Sequence, residues 1–153
     1  MVAIKVQFFL ALLVGAALAT PLANLVEVSD KQLTCTVDGK RVSFSEDYAK
    51  KLAKQAPSGK NIHTASGYPH IFQNLDHIQW DNKACISPKV KTLEFPILEG
   101  KNPKMYPWNK KPRAEPGPCR VVYSETDGHY CGVMCHKDRK ANGDDQKGFN
   151  KCT

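Results

Sequence analysis

Alternation of apolar and polar positions along the chain marks two hairpins, one helix and two further strands. Cys119 to Tyr123 and Tyr130 to His136 are rich in β-branched and aromatic residues, and Asp127-Gly128 between them is a hairpin signal. With Cys119 opposite Cys135, Arg120 faces Met134 and Tyr123 faces Cys131. Side chains alternate faces along a strand, so Arg120, Gly132, Met134 and His136 share one face and Cys119, Cys131 and Cys135 the other. Leu33 to Val37 and Arg41 to Phe44, joined by Asp38-Gly39, form a second hairpin. Ser45 is a good N-cap, followed by Glu46 and Asp47 in the first turn of a helix. Tyr48 and Leu52 lie one turn apart, with Ala49, Ala53 and Ala56 near the same face, while Lys50, Lys51 and Lys54 point elsewhere as a solvated face. Pro57 and Ser58-Gly59 stop the helix. Tyr68 to Phe72 is a short strand entered through Pro69, and Leu75 to Trp80 extends it or turns. Val90 to Leu98 is another strand, with Val90, Thr92, Glu94, Pro96 and Leu98 on one face and Pro96 marking an end or edge. The pattern describes an α+β domain: an N-terminal β-hairpin and one helix packed on a twisted antiparallel sheet, with long basic loops.

Composition places this domain in an export pathway. Lys5 and the apolar run Phe8 to Ala19, ending in Ala17-Leu18-Ala19, read as a signal peptide over residues 1–19, too short to span a bilayer. Residues 20–32 read as a leader or pro-segment and residues 33–153 as the domain. Nothing later is long and apolar enough for a transmembrane helix. Six cysteines in a small secreted domain imply disulfides, and spacing alone leaves 15 connectivities open. The hairpin register favours a Cys119–Cys135 bridge. A Cys35–Cys152 bond would close a long loop, and Cys85–Cys131 would then remain. A zinc site is disfavoured, because no Cys-x-x-Cys pair is present.

The formal net charge of +7 becomes +6 on loss of Lys5 with the signal, 21 basic against 15 acidic residues. That excess suits a polyanion, either nucleic acid or an anionic membrane surface. Part of it sits in the proline-rich segment 99–118, where Lys101, Lys104, Lys110, Lys111 and Arg113 interleave with Tyr106 and Trp108. Long loops in a small domain are often functional, and cations between aromatics suit a phosphate backbone with unstacked bases. A solubilising loop with one anchored Trp accounts for the segment equally well.

Three ionisable side chains, Glu94, Arg120 and His136, can meet on one sheet face, with His70 a fourth beside Tyr68. RNA cleavage by transesterification requires a base for the 2′-hydroxyl, an acid for the departing 5′-oxygen, and a cation for the phosphoryl oxygens. A carboxylate, an imidazolium and a guanidinium meet those three needs. Singly, each residue type is ordinarily structural; the set gains meaning only if the strands are neighbours.

Tyr68-Pro69-His70, Glu94-Phe95-Pro96, Pro116 to Tyr123, Cys131 to His136 and a final Phe149-x-x-Cys152 together resemble the fungal extracellular ribonucleases of the T1/N1 type. Within them the chain is most similar to the ribotoxin branch (α-sarcin, restrictocin and hirsutellin), with Asp76-His77-Ile78-x-Trp80 and Cys131-Gly132-Val133-Met134 especially hirsutellin-like. The resemblance runs from about Cys35 to Thr153. It implies Glu94 as general base, His136 as general acid, His70 as the histidine assisting or replacing the base, Arg120 and Tyr68 as phosphate ligands, and Phe149 as the apolar residue beside the scissile phosphate. It implies a 2′,3′-cyclic phosphate product, no metal and no cofactor, and the pairings Cys35–Cys152 and Cys85–Cys131. It further implies a monomeric toxin that acts on ribosomal RNA in the cytosol of target cells, cutting the sarcin–ricin loop and stopping translation.

Two departures stand out. Cys119 and Cys135 are not usual in the family, and a bridge there would rigidify the hairpin carrying Arg120 and His136. The stretch that holds guanine in T1-type enzymes is here Phe72-Gln73-Asn74-Leu75-Asp76, with Leu75 in place of an aromatic and Asp76 one methylene shorter than Glu. A general guanyl-type ribonuclease and a catalytically silent RNA-binding effector are the competing readings. The first would degrade homopolymers without preference for ribosomes. The second would be marked by loss of Glu94, His136 or Arg120, none of which is lost.

Overall fold

The computed structural model describes residues 30–59, 63–100, 103–138 and 148–153. The predicted signal peptide, residues 20–29 of the expected leader, Lys101 and most of the charged turn after His136 lie outside the described residues. Strands β1 (Gln32–Val37) and β2 (Lys40–Ser45) form the first hairpin. Its tight turn requires left-handed backbone at both central residues, which Asp38 (φ 50°) and Gly39 (φ 72°) supply. The first strand starts at Gln32, one residue before the Leu33 at which the hairpin was expected to begin. Gln32 already pairs with Ser45, and the Lys31 carbonyl accepts from Glu46 N–H at 2.8 Å.

Helix α1 (Glu46–Gln55) starts where expected: the Ser45 hydroxyl accepts from Tyr48 N–H at 3.0 Å. Ala49, Leu52 and Ala53 are its buried face. That face packs on a five-stranded antiparallel sheet of order β3-β4-β5-β6-β7, formed by His70–Ile71, Thr92–Pro96, Cys119–Ser124, Tyr130–His136 and Phe149–Lys151. Among the described residues no helix is long and apolar enough to cross a membrane.

The sheet has two different faces. On the helix side Leu93, Phe95, Val121, Tyr123 and Val133 join α1 and the first hairpin in one core, with Cys119, Cys135, Cys35 and Cys152 among them. On the opposite side Val122 and Met134 form a smaller cluster with Phe72, Ile78 and Trp80. Trp80 lies so close over the sheet that a Cβ at Gly132 would come within 2.4 Å of its ring, so only glycine fits there. Three disulfides join Cys35–Cys152, Cys85–Cys131 and Cys119–Cys135.

The central hairpin corrects the predicted register at one end. Cys119 pairs with Cys135 and Arg120 with Met134, but Tyr123 pairs with Tyr130, not Cys131. A bulge between Val122 and Tyr123 inserts one extra residue on β6. Cys131 is thereby turned to the Trp80 side, where it bonds Cys85, and Tyr130 to the helix side. Cys131 therefore does not share a face with Cys119 and Cys135. β3 and β4 are shorter than the predicted strands, and beyond Pro96 the parity of β4 breaks, so Leu98 packs on the helix-side core.

Candidate active site

Antiparallel pairing brings the predicted residues to one surface. His70 on β3 pairs with Glu94 on β4, Glu94 pairs with Val122 on β5, and Arg120 lies two positions before Val122. His136 ends β6, with its N–H bonded to the Pro118 carbonyl at 2.9 Å. Across β6, Phe149 on β7 pairs with His136. Period-2 alternation then directs Glu94, Arg120 and His136 to the side away from the helix. They line a cleft of about 490 Å³ with Tyr68, His70, Arg113, Glu115 and Phe149.

Arg120 is not on a solvated basic face: it is 4% exposed. Its Nη1 donates to the carbonyls of Gly117 (2.6 Å) and Cys119 (2.9 Å), and its Nη2 to the Tyr68 hydroxyl (2.8 Å). The Pro116-Gly117-Pro118 turn thus holds the guanidinium from behind, leaving Nε without a partner among the described residues. Tyr68 is buried at 3% exposure and stacks on His70, centroids 4.2 Å apart. Burial pushes its hydroxyl pKa up, against the pull of Arg120 and Arg113. Arg113 lies 5.0 Å from the Tyr68 ring centre, so it belongs to this cleft as well as to the basic loop.

Glu94 Oε1 is 3.6 Å from His70 Nδ1, while Oε2 is buried and unpartnered among the described residues. The His136 ring lies 3.8 Å from that of Phe149, tilted by 35°, and its Nδ1 is likewise unpartnered among the described residues. Burial, reinforced by the Arg120 charge and opposed by Asp76, holds the His136 pKa down to about 4. Without a bound anion the imidazole is neutral at neutral pH. A phosphodiester in the cleft would oppose the Arg120 field and favour the imidazolium. A carboxylate, an imidazole and a guanidinium thus converge with open valences, an arrangement suited to proton transfer on either side of a bound phosphate.

The other candidates distribute differently. A recess of about 420 Å³ shares Glu94 and Phe149 with the cleft and is lined by Ile71, Phe72, Gln73, Asn74, Leu75 and Asp76. Phe72 is mostly buried against Trp80 and Phe149, and Leu75 is 79% exposed. The Asn74 amide bonds Ile78 at both ends, 2.7 and 2.9 Å, closing the 74–78 loop on itself. Asp76 accepts from Phe149 N–H at 2.9 Å. Lys104, Lys110 and Lys111 are exposed, whereas Trp108 packs against the helix-side core. The deeper anchor of that loop is Tyr106, 1% exposed, its hydroxyl donating to the Ala114 carbonyl at 2.8 Å. Glu115 is absent from the sequence-derived candidates, since no periodicity places a residue within a proline-rich segment.

Residues 30–153 match the family model described as ribonuclease. Ribonuclease clavin of Aspergillus clavatus is 30% identical over 181 residues, covering 94% of this chain and 97% of that protein. The crystal structure of restrictocin, a highly specific Aspergillus ribotoxin, superposes with a TM-score of 0.62 at 26% identity, covering 80% of this chain and 99% of restrictocin. Restrictocin has also been solved with a 29-mer sarcin/ricin domain RNA analog. Hirsutellin A from Hirsutella thompsonii gives a TM-score of 0.58 at 29% identity, covering 80% of this chain and 98% of hirsutellin A.

Proposed function

The chain belongs to the fungal ribotoxin-type ribonuclease family and is an endoribonuclease, and from that premise we propose that it is a secreted ribotoxin, cutting the sarcin–ricin loop of large-subunit rRNA and thereby stopping translation. The observation that carries this reading is the convergence of Glu94, Arg120 and His136, each with a buried polar atom lacking a partner among the described residues. The complex of restrictocin with a sarcin/ricin domain RNA analog supports the choice of target.

In this mechanism the Glu94 carboxylate takes the proton of the 2′-hydroxyl, with His70 beside Oε1 to hold and assist it. The 2′-oxygen attacks phosphorus. Arg120 and the Tyr68 hydroxyl stabilise the charge growing on the non-bridging oxygens, the usual dominant electrostatic contribution at such a centre. His136 gives its proton to the departing 5′-oxygen, leaving a 2′,3′-cyclic phosphate and a free 5′-hydroxyl. Phe149 presents an apolar wall beside the acid. Lys104, Lys110 and Lys111, with Lys101, which lies outside the described residues, dock the ribosomal backbone and favour an anionic membrane surface during entry. The protein acts as a monomer in this reading.

The test incubates the purified protein with intact eukaryotic ribosomes, with EDTA present, and resolves the RNA on a denaturing gel. One discrete fragment from the 3′ end of the large rRNA is expected. A smear would convert the reading to a general ribonuclease, and intact RNA to a binding protein on the same fold.

A further inference from the structure

Asp76 falls, by sequence, among the residues that read a base, yet its carboxylate is engaged elsewhere. Its Oδ2 accepts from Phe149 N–H at 2.9 Å. Its Oδ1 lies so near Gly148 that a Cβ there would sit 2.5 Å away. The loop presenting it is fixed: His77 N–H bonds the Asn74 carbonyl at 3.0 Å, and the Asn74 amide grips Ile78. The backbone held by Asp76 carries the ring that lies 3.8 Å from the His136 imidazole, and β6–β7 pairing sets the two residues opposite each other.

We infer that Asp76 is a positioning residue for His136: it pins the strand whose Phe149 covers the imidazole, in place of reading the substrate base. The charged groups that line the cleft with His136 are Arg120 on β5, Glu94 on β4, His70 on β3, and Arg113 and Glu115 from the proline-rich segment, while the Lys137 Nζ lies 3.4 Å from where a Cβ on Gly148 would be, beside Asp76. Arg120 opposes protonation of His136 and Asp76 favours it. An aspartate pointing at β7 leaves the recess beside Glu94 without a free carboxylate from this loop. Base discrimination there then falls to Gln73 and the apolar walls of Ile71 and Leu75. The consequence for cleavage rests on the ribonuclease mechanism proposed above; the placement of His136 does not.

Two variants separate the contributions. Asp76→Asn keeps an acceptor for Phe149 N–H and removes the charge; Asp76→Ala removes both. His136 titration and the Phe149–His136 ring contact are followed by NMR in the absence of RNA, and cleavage of the dinucleoside phosphates GpA and ApA is measured alongside. Asp76→Asn is expected to move the His136 midpoint down by a few tenths of a pH unit with the ring contact retained. Asp76→Ala is expected to weaken the ring contact and lower kcat severalfold for GpA and ApA alike, with KM little changed. An unmoved His136 midpoint in Asp76→Asn together with an intact ring contact in Asp76→Ala overturns the inference. So does a KM increase confined to GpA, which makes Asp76 a base reader. If the wild-type protein cleaves neither dinucleotide, the kcat comparison is made on ribosomes, and the NMR arm decides the role of Asp76 by itself.

Discussion

The two faces of the central sheet obey different rules. On the helix side, Phe95, Val121, Val133, Cys119 and Cys135 are 0% exposed, and the Tyr123 hydroxyl donates to the Pro57 carbonyl at 2.7 Å, leaving the Tyr48 hydroxyl as that core's one unpartnered buried polar tip among the described residues. On the cleft side, Glu94, Arg120 and His136 account for three of the five buried polar atoms left unpartnered among the described residues. An unmade hydrogen bond at a buried polar atom costs about 1–3 kcal/mol. The same strands therefore carry a face that stabilises the fold and a face that spends part of that stability to hold reactive groups in place. Arg120 belongs to both: its guanidinium braces the Pro116-Gly117-Pro118 turn by Nη1 and supports Tyr68 by Nη2.

The sharpest way to separate the faces is to remove one group from each. Changing His136 to Gln takes away only the proposed acid and is expected to lower kcat by about 10²–10⁴, with thermal stability and RNA binding nearly intact; full residual cleavage on ribosomes would remove His136 from the mechanism. Phe95→Ala, at 0% exposure on the helix side, is expected to cost about 3–5 kcal/mol in chemical unfolding, while the surviving folded fraction keeps its rate per molecule. A smaller effect is expected from Cys119→Ala/Cys135→Ala, which opens a bridge of sequence separation 16. The chain-entropy model gives about 3 kcal/mol for such a loop. Cleavage at low temperature should stay within severalfold, because the Gly117 and Cys119 carbonyls still hold Arg120.

The pH dependence of stability gives a subtler contrast. Burial and Arg120 depress the folded-state pKa of His136 from 6.5 to about 4. Between those values the unfolded chain binds the proton and the folded chain does not, so this histidine's contribution is present above pH 6.5 and lost as pH falls towards 4. Wild-type stability measured by urea titration should drop through that window more steeply than that of His136→Gln. Equal slopes would mean that His136 is not held neutral in the folded state.

What the sequence made legible follows the same division. Both hairpins, the Ser45 cap and the Glu94, Arg120 and His136 face were readable because period-2 and period-3.6 patterns and turn chemistry are local. The face of Cys131 was not, although its bond to Cys85 was expected, since a bulge shifts parity without changing composition. Nor was the burial of Arg120, which depends on the carbonyls of Gly117 and Cys119, offered by a turn and a strand start that have no side-chain pattern. The contact of Asp76 with β7 was hidden for a related reason: the family resemblance places it in the base-reading stretch, but only the approach of β7, from the other end of the chain, shows that its carboxylate accepts from Phe149 N–H. Arg113 and Glu115 reach the cleft through an irregular proline-rich path that no period describes.

The smallest expected effect tests where that irregular segment meets its target. Lys110 and Lys111 are exposed and stand apart from the cleft, whose nearest contribution from the same segment is Arg113. If they contact phosphates, each releases counterions on binding, and replacing both by Ala should lower the slope of log affinity for ribosomes against log salt by about 1 per lost contact. Cleavage of a dinucleotide, too short to reach them, should be unchanged. That outcome would assign docking to the exposed loop and chemistry to the sheet face, since a loss of dinucleotide cleavage can arise only if the lysines act on the cleft itself. An unchanged salt slope would remove the two lysines from docking and leave Arg113, bound to the Tyr68 ring, as the segment's link to RNA.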